Sequence, residues 1–370
     1  MHSRNVAYIP EIDHLRLLAA LLVFFFHFFH FYTNDWRPWP HLALFGLITD
    51  GYTGVSLFFV LSGYIFMTIA LAGGAIDYRS FLRNRLLRIA PLFLVVFVVA
   101  ASIGRDRFRA TDLLSVFVTN VGDPPTSWHF ATGPAWSISV EFAFYLAFPF
   151  LAQFAKTQGV RYLARLIVIL LVVKLAAYHA ADNSRLMLYS TLVGRFDQFL
   201  IGMAAAMLAG AHRAFIVRRR WILMPLATLL VVAGGAAQAR WVSFLAPEPK
   251  QAMGVAVGTI EAVLWGFFIV AYVGLRPAWP ARVAALLRAG GEMSFSFYMW
   301  HALIIYAAFK TLGPLGGVSR PALIGDCALV LAFTAAFARL SYTTIEAPFL
   351  TLRRRYTAKA LAPSRERARP

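Results

Sequence analysis

Cysteine is nearly absent from this chain. Cys327 stands alone among 370 residues, and one thiol excludes an intrachain disulfide, a thiolate metal cluster and a Cys-pair redox centre. Its apolar surroundings read as helix packing. Charge is scarce too: 14% of residues are Asp, Glu, Lys or Arg, where a soluble domain carries about 25%. With 60% hydrophobic residues and a mean hydropathy of +0.66, that scarcity excludes an ordinary soluble enzyme and points to a polytopic membrane protein. Acidic residues are the scarcer sign, 17 against 35 Lys and Arg, for a net charge of +18. The excess is spread between apolar runs, so nucleic acid is not an expected partner. No internal repeat is visible, and the longest loop, 105–128, is too small to fold alone. Nor is a cleaved leader expected. The first apolar run is long, is interrupted by Arg16 and lacks a small-residue cleavage site, so it should remain as a span.

What is abundant is apolar helix. Ten runs are expected to cross a bilayer: 14–33, 51–72, 89–104, 129–154, 163–181, 190–211, 221–239, 252–274, 293–312 and 322–345. All lie near the ~20 residues a crossing needs, with 89–104 the shortest. With the N-terminus inside, 22 Lys and Arg fall in inner segments or at the inner edge of a span (Arg165), nine in outer loops or at the outer edge of a span (Lys310), and four deeper within spans. That asymmetry satisfies the positive-inside rule with both termini cytoplasmic. The expected fold class is therefore all-α, a polytopic membrane protein of about ten transmembrane helices, with a membrane domain over 1–350. Residues 351–370 read as a basic, disordered cytoplasmic tail lying against anionic lipid.

Polar residues inside the spans are costly, at least ~2.5–3.5 kcal/mol per charge, and so invite a functional reading. Val23–Tyr32, "VFFFHFFHFY", holds His27 and His30. Arg16 and His27 are eleven residues apart, which returns them to within about 20° of one helix face with a rise of roughly 16 Å. Asp13 joins that stripe, and His30 lies about 60° to one side. The stripe fits a site, and equally an interfacial arginine with a packing histidine. In the second span, Gly51, Gly54 and the Ser62–Gly63 pair permit close helix contact or a broken helix. In "FLRNRLLRIAP", Arg85 and Arg88 share a face, Arg83 adds charge, and Pro91 marks an expected helix break. These arginines fit either a topological anchor or an anion site, since guanidinium forks suit phosphates. Glu141 sits in mid-span between Ser137 and Tyr145. Arg195 and Asp197 open the sixth span. Ser294, Tyr298 and His301 follow one face of the ninth, where Trp300 and Tyr306 suit an aromatic belt. Glu346, near the inner boundary, has a loop arginine as its simplest partner.

In order, these stretches resemble the acyltransferase 3 family of bacterial integral membrane acyltransferases. Arg16 and His27 fit its Arg-ten residues-His motif. "GYTGVSLFFVLSGYIF" is similar to its Phe-Phe, Ser-Gly signature, and Arg85 and Arg88 fit its Arg-x-x-Arg motif, followed by "RIAP". "WSISVEFAFYLAFP", "RFDQFLIGMAAA", "SFSFYMWH" and "SYTTIEAP" match its later blocks. Unlike members with a fused esterase-like domain, the chain resembles the stand-alone type. The resemblance implies transfer of an acyl group, usually acetyl, from cytoplasmic acyl-CoA to a hydroxyl of a surface glycan, a lipid-linked sugar or, in some branches, an antibiotic. It places His27 as the catalytic histidine and Arg16 as its motif partner. Arg85 and Arg88, with Ser62 and Gly63 of the Ser-Gly signature, fall at the donor site. Glu141 is its acidic residue, and no metal is expected.

Transfer from a thioester to a hydroxyl needs a base and stabilisation of an oxyanion. Histidine suits the first task, with a reference pKa of about 6.5. His27 is the expected base, acting directly or through an acyl-histidine. His301 either assists or packs, and His30 is read as packing or pore lining. A proton-coupled transporter is the rival from another class, and the missing inverted repeat weighs against it. The bacterial inner membrane is the expected location.

Overall fold

The computed structural model describes residues 5–36, 44–103, 136–243, 245, 250, 252–313 and 320–357. The expected outer loop 105–128, the start of the span at 129 and the tail beyond Thr357 lie outside the described residues. In chain order the helices are α1 (Pro10–Thr33), α2 (Gly46–Thr49), α3 (Thr53–Ala72), α4 (Tyr78–Ile103), α5 (Trp136–Gln158), α6 (Val160–Ala180), α7 (Ser184–Ser190), α8 (Leu192–Ala211), α9 (Arg213–Trp241), α10 (Gly254–Leu275), α11 (Ala281–Glu292), α12 (Ser294–Leu312), α13 (Arg320–Ser341) and α14 (Ala347–Thr351). A π-helical turn, Tyr342–Glu346, joins the last two. Among the described residues the only β-pairing is an isolated bridge between Ile76 and Thr357.

Among the described residues eight helices are long and apolar enough to cross a membrane, which makes this an all-α polytopic membrane protein. The other two expected spans, 163–181 and 293–312, are helices as well, α6 and α12. The expected break at Pro91 does not occur. α4 runs unbroken through it for 26 residues, so the span expected at 89–104 begins at Tyr78. Proline removes one backbone donor, but abandoning the helix in an apolar medium would leave several more unsatisfied. Asp77 caps the start of α4, its Oδ1 accepting the Ser80 N–H at 2.8 Å.

α3 lies at the centre, against α1, α5, α8 and α10. Its glycines set the spacing. A Cβ on Gly54 would fall 2.3 Å from the Ala19 carbonyl of α1, and one on Gly63 would fall 2.1 Å from the Phe199 carbonyl of α8. Gly202 of α8 answers, 2.1 Å from the Val60 carbonyl. Of the two roles open to these residues, close contact is the one realised, and α3 is unbroken.

Behind this crossing, buried charges tie four helices together. Lys174 of α6 meets Asp197 of α8 at 2.7 Å, and both touch Thr259 of α10. Arg195 lies 3.6 Å from Glu261, and both hydrogen-bond Ser56 of α3. Each charge has a partner in reach, the condition under which burial is tolerated. Arg195 and Asp197 of the sixth expected span are therefore helix ties. Cys327 packs with Phe24, Phe28 and Phe297.

Candidate active site

One cavity of about 460 Å³ runs up the middle of the helices. Along α3 it is lined from Ile69 to Val55, a rise of roughly 20 Å at 1.5 Å per residue. One end lies where the start of α1, the start of α4 and the segment after α14 converge. Arg16, Arg85, Arg88, Arg353 and Arg354 line it there, with Asp13 and Glu292. Further in are Ser62, Glu141 and Tyr145, and at the inner end stand Ser137, Phe58 and Tyr298.

The arginines are held in different ways. Arg85 stacks on aromatic faces, its guanidinium 4.8 Å from the centre of Phe66 and 5.6 Å from that of Phe81. No carboxylate pairs with it among the described residues, and its buried Nε lacks a hydrogen-bond partner. Arg88 places Nη1 3.1 Å from Glu346 Oε2, and its Nη2 has no hydrogen-bond partner. Glu346 thus has the arginine partner that was its simplest reading. The π-helical turn carries it inward, where the Ser296 hydroxyl also donates to it. Among the described residues Arg16 has only a long ion-pair contact, to Asp13 at 3.9 Å. Mid-cavity, the Ser62 hydroxyl donates to Glu141 Oε1 at 3.0 Å.

At the inner end the hydroxyls of Ser137 and Tyr298 are 2.9 Å apart. Beyond Tyr298 lie the two histidines, which do not line the cavity. His301 Nδ1 is 2.5 Å from the Tyr298 carbonyl, and its Nε2 is 3.1 Å from His27 Nδ1. His27 Nδ1 is also 2.9 Å from the Val23 carbonyl. Carbonyls only accept, so both Nδ1 atoms carry protons, and the single Nδ1–H of His27 is shared between the Val23 carbonyl and His301 Nε2. This tautomer leaves the lone pair on His27 Nε2 without a hydrogen-bond donor among the described residues. His27 is half-buried, with Phe31 stacked on its ring and the exposed Trp36 edge-on to it. His30 points elsewhere: its Nδ1 bonds the Phe26 carbonyl at 2.8 Å and it is 1% exposed.

Of the expected site residues, Arg16, Ser62, Arg85, Arg88 and Glu141 meet around the cavity, while His27 and His301 meet each other just past its inner end. Gly63, expected at the donor site, faces α8 instead, because that crossing admits no side chain there. Sequence reasoning missed the cavity residues Asn84, Arg353 and Arg354. The only signal was the excess of arginine after residue 350, and it read as a tail.

An acyltransferase domain family model matches residues 9–339. The chain belongs to the acyltransferase 3 family. As a member it is an acyltransferase, and its Arg-ten residues-His and Arg-x-x-Arg motifs are the ones that meet at the cavity and the histidine pair. It is 29% identical to the acyltransferase MdmB of Streptomyces mycarofaciens, over 98% of both chains. It is 25% identical to the peptidoglycan O-acetyltransferase OatA of Listeria monocytogenes, over 92% of this chain and 56% of that protein, so it spans little more than half of that relative. No solved structure matches the chain.

Proposed function

We propose that this acyltransferase is an O-acetyltransferase of the bacterial inner membrane, taking an acetyl group from cytoplasmic acetyl-CoA and delivering it to a hydroxyl of a cell-surface glycan or lipid-linked sugar. The observation that carries this reading is a cavity lined by arginines at one end and by Tyr298 at the other, one helical turn from the His301–His27 pair. The arginine end suits the phosphates of the donor, because guanidinium forks bind phosphate oxygens in pairs. The apolar side chains of α3 along it, Phe58, Phe59, Ile65, Phe66 and Ile69, suit an acyl-pantetheine arm. The arginine end also lies at the inner side given by the charge asymmetry, beside both described chain ends, which supports cytoplasmic donor binding.

On this reading the thioester reaches the histidines by displacing the Tyr298 side chain. His27 Nε2 takes the proton of the acceptor hydroxyl as that oxygen attacks the thioester carbonyl carbon. The tetrahedral oxyanion accepts a hydrogen bond from the Ser137 hydroxyl, which the displaced Tyr298 releases. It collapses with cleavage of the C–S bond, and the leaving thiolate takes the proton from His27. His301 is a positioning residue: accepting from Nδ1–H turns Nε2 of His27 toward the acceptor. Glu141 and Ser62 orient Tyr145 and the arm of the donor. The acceptor approaches from the side of Trp36, where a partly exposed ring offers an apolar face. The name of the Listeria relative, a peptidoglycan O-acetyltransferase, supports a glycan acceptor.

The test is transfer of label from [acetyl-14C]acetyl-CoA in membrane vesicles, set beside glycan analysis of a deletion strain. Label in a glycan that the deletion strain lacks supports the proposal. Label in a soluble small molecule keeps acyl transfer and replaces the acceptor. No label transfer, with movement of an intact solute, would replace the reading by transport.

A further inference from the structure

The segment that leaves α14 is built into the mouth of the cavity. Asn84 of α4 clamps Arg354 from both sides: its Nδ2 donates to the Arg354 carbonyl at 2.6 Å, and its Oδ1 accepts the Arg354 N–H at 2.9 Å. Asn5 Oδ1 accepts the N–H groups of Tyr356 and Thr357 at 3.0 and 3.3 Å. The Tyr356 carbonyl accepts from Asp77 N–H at 2.8 Å, Arg83 donates to the Leu352 carbonyl at 3.0 Å, and Thr357 bridges to Ile76. Tyr356 is buried, 5.3 Å from Phe81. A mobile basic tail would need none of these bonds. They fix the backbone between α1 and α4, and they hold Arg353 over the cavity while Arg355 stays exposed outside it.

The charge at this mouth is unbalanced. Five arginines line the cavity against Asp13 and Glu292 at this end and Glu141 further in, and Glu346, from outside the lining, pairs with Arg88. Burial, together with the guanidiniums of Arg88, Arg85 and Arg16, pushes Arg353 down to about 10. Gathering like charges in a partly desolvated space opposes folding, and a bound polyanion offsets it. The family match ends at residue 339, so this contribution comes from beyond it.

We propose that Arg353 is a phosphate contact of the donor site and that residues 353–357 form the strap that holds it there. The proposal rests on the donor reading above and extends it to a segment that the sequence presents as tail. Both the phosphates of CoA and the phosphate of an anionic lipid headgroup have the required chemistry.

The experiment is calorimetric titration of the full-length protein, in nanodiscs of zwitterionic lipid, with CoA, with a parallel titration using short-chain phosphatidic acid. Arg353→Gln is expected to weaken CoA binding by about ten- to a hundred-fold, the size of one lost charge-assisted hydrogen bond. Arg355→Gln, which removes the same charge outside the cavity, should bind as wild type does. If wild type binds CoA and a folded Arg353→Gln binds it equally, the strap proposal is overturned and the donor reading stands. If wild type binds phosphatidic acid but not CoA, and loses that binding in Arg353→Gln, the phosphate contact stands with lipid as its source and the donor reading fails. Binding of neither ligand overturns both. Should Arg353→Gln fail to fold, Arg353→Lys carries the test: an ammonium cannot form the fork, so affinity should fall several-fold, and wild-type affinity would overturn the proposal.

Discussion

Replacing Glu346 by glutamine separates the structural role of Arg88 from its proposed role in binding. Arg88 Nη1 lies 3.1 Å from Glu346 Oε2, with the carboxylate side chain 0% exposed and the guanidinium 11%. Removing one partner of a buried pair costs about 3–5 kcal/mol, because the other charge is left buried and uncompensated. Arg88 lines the cavity, so water reaches part of it and the low end, about 3 kcal/mol, applies. The Ser296 hydroxyl loses its carboxylate acceptor too. Glu346→Gln should therefore melt several degrees below wild type in the absence of ligand. The same change removes a competitor for Arg88. A donor phosphate would then replace the lost carboxylate, and CoA should raise the melting temperature of the variant more than that of wild type. Saturation at a hundred times Kd is worth about 2.7 kcal/mol by linkage, enough to recover most of the loss. The assay is thermal unfolding of purified protein with and without CoA. An unliganded melting temperature equal to wild type, with an equal CoA shift, would refute this account of Arg88.

Three further outcomes are expected. Arg85→Ala should weaken acyl-CoA binding at least about ten-fold at unchanged melting temperature, with Arg85→Lys only a partial rescue; normal binding by Arg85→Ala in calorimetry would leave Arg85 a topological anchor. Gly63→Ala should lose about 2 kcal/mol or more in thermal unfolding, because its Cβ would meet the Phe199 backbone at 2.1 Å and backbone cannot rotate away; wild-type melting would contradict that crossing. Single cysteines in 79–83 and in the tail should label only from the cytoplasmic side, and those in 105–128 only from outside. A tail labelled from outside would reverse the orientation.

Much of the site was legible because polar residues in an apolar span are expensive and therefore few. Arg16, Ser137, Glu141, Tyr145, Ser294 and Tyr298 stood out for that reason, Arg85 and Arg88 because they share a helix face, and all of them line the cavity. The helical face carrying Arg16 and His27 was legible from periodicity alone. What escaped depends on contacts between segments far apart in sequence. His301 reaches His27 across 274 positions. Arg353 is fixed by Asn84 and Asn5, whose side chains give no sign in sequence that they will bind a C-terminal backbone. Gly63 is indistinguishable in sequence from a glycine at a ligand, until α8 is seen against it. Pro91 breaks helices in water, where the freed groups find solvent; an apolar surrounding removes that option.

His27 is proposed to act as a base past the inner end of a donor cavity. The most direct test of that role is the acyl-transfer rate of His27→Gln, measured on purified protein together with melting temperature and acyl-CoA affinity, with His30→Gln alongside. Glutamine keeps some polarity and cannot act as a base at neutral pH, and losing a general base costs ~10²–10⁴ in rate. The account predicts near-normal melting and donor binding for His27→Gln with transfer at background, and a mild effect for His30→Gln. Transfer by His27→Gln at more than about a tenth of the wild-type rate, well short of the loss a general base entails, would contradict it and pass the role to His301.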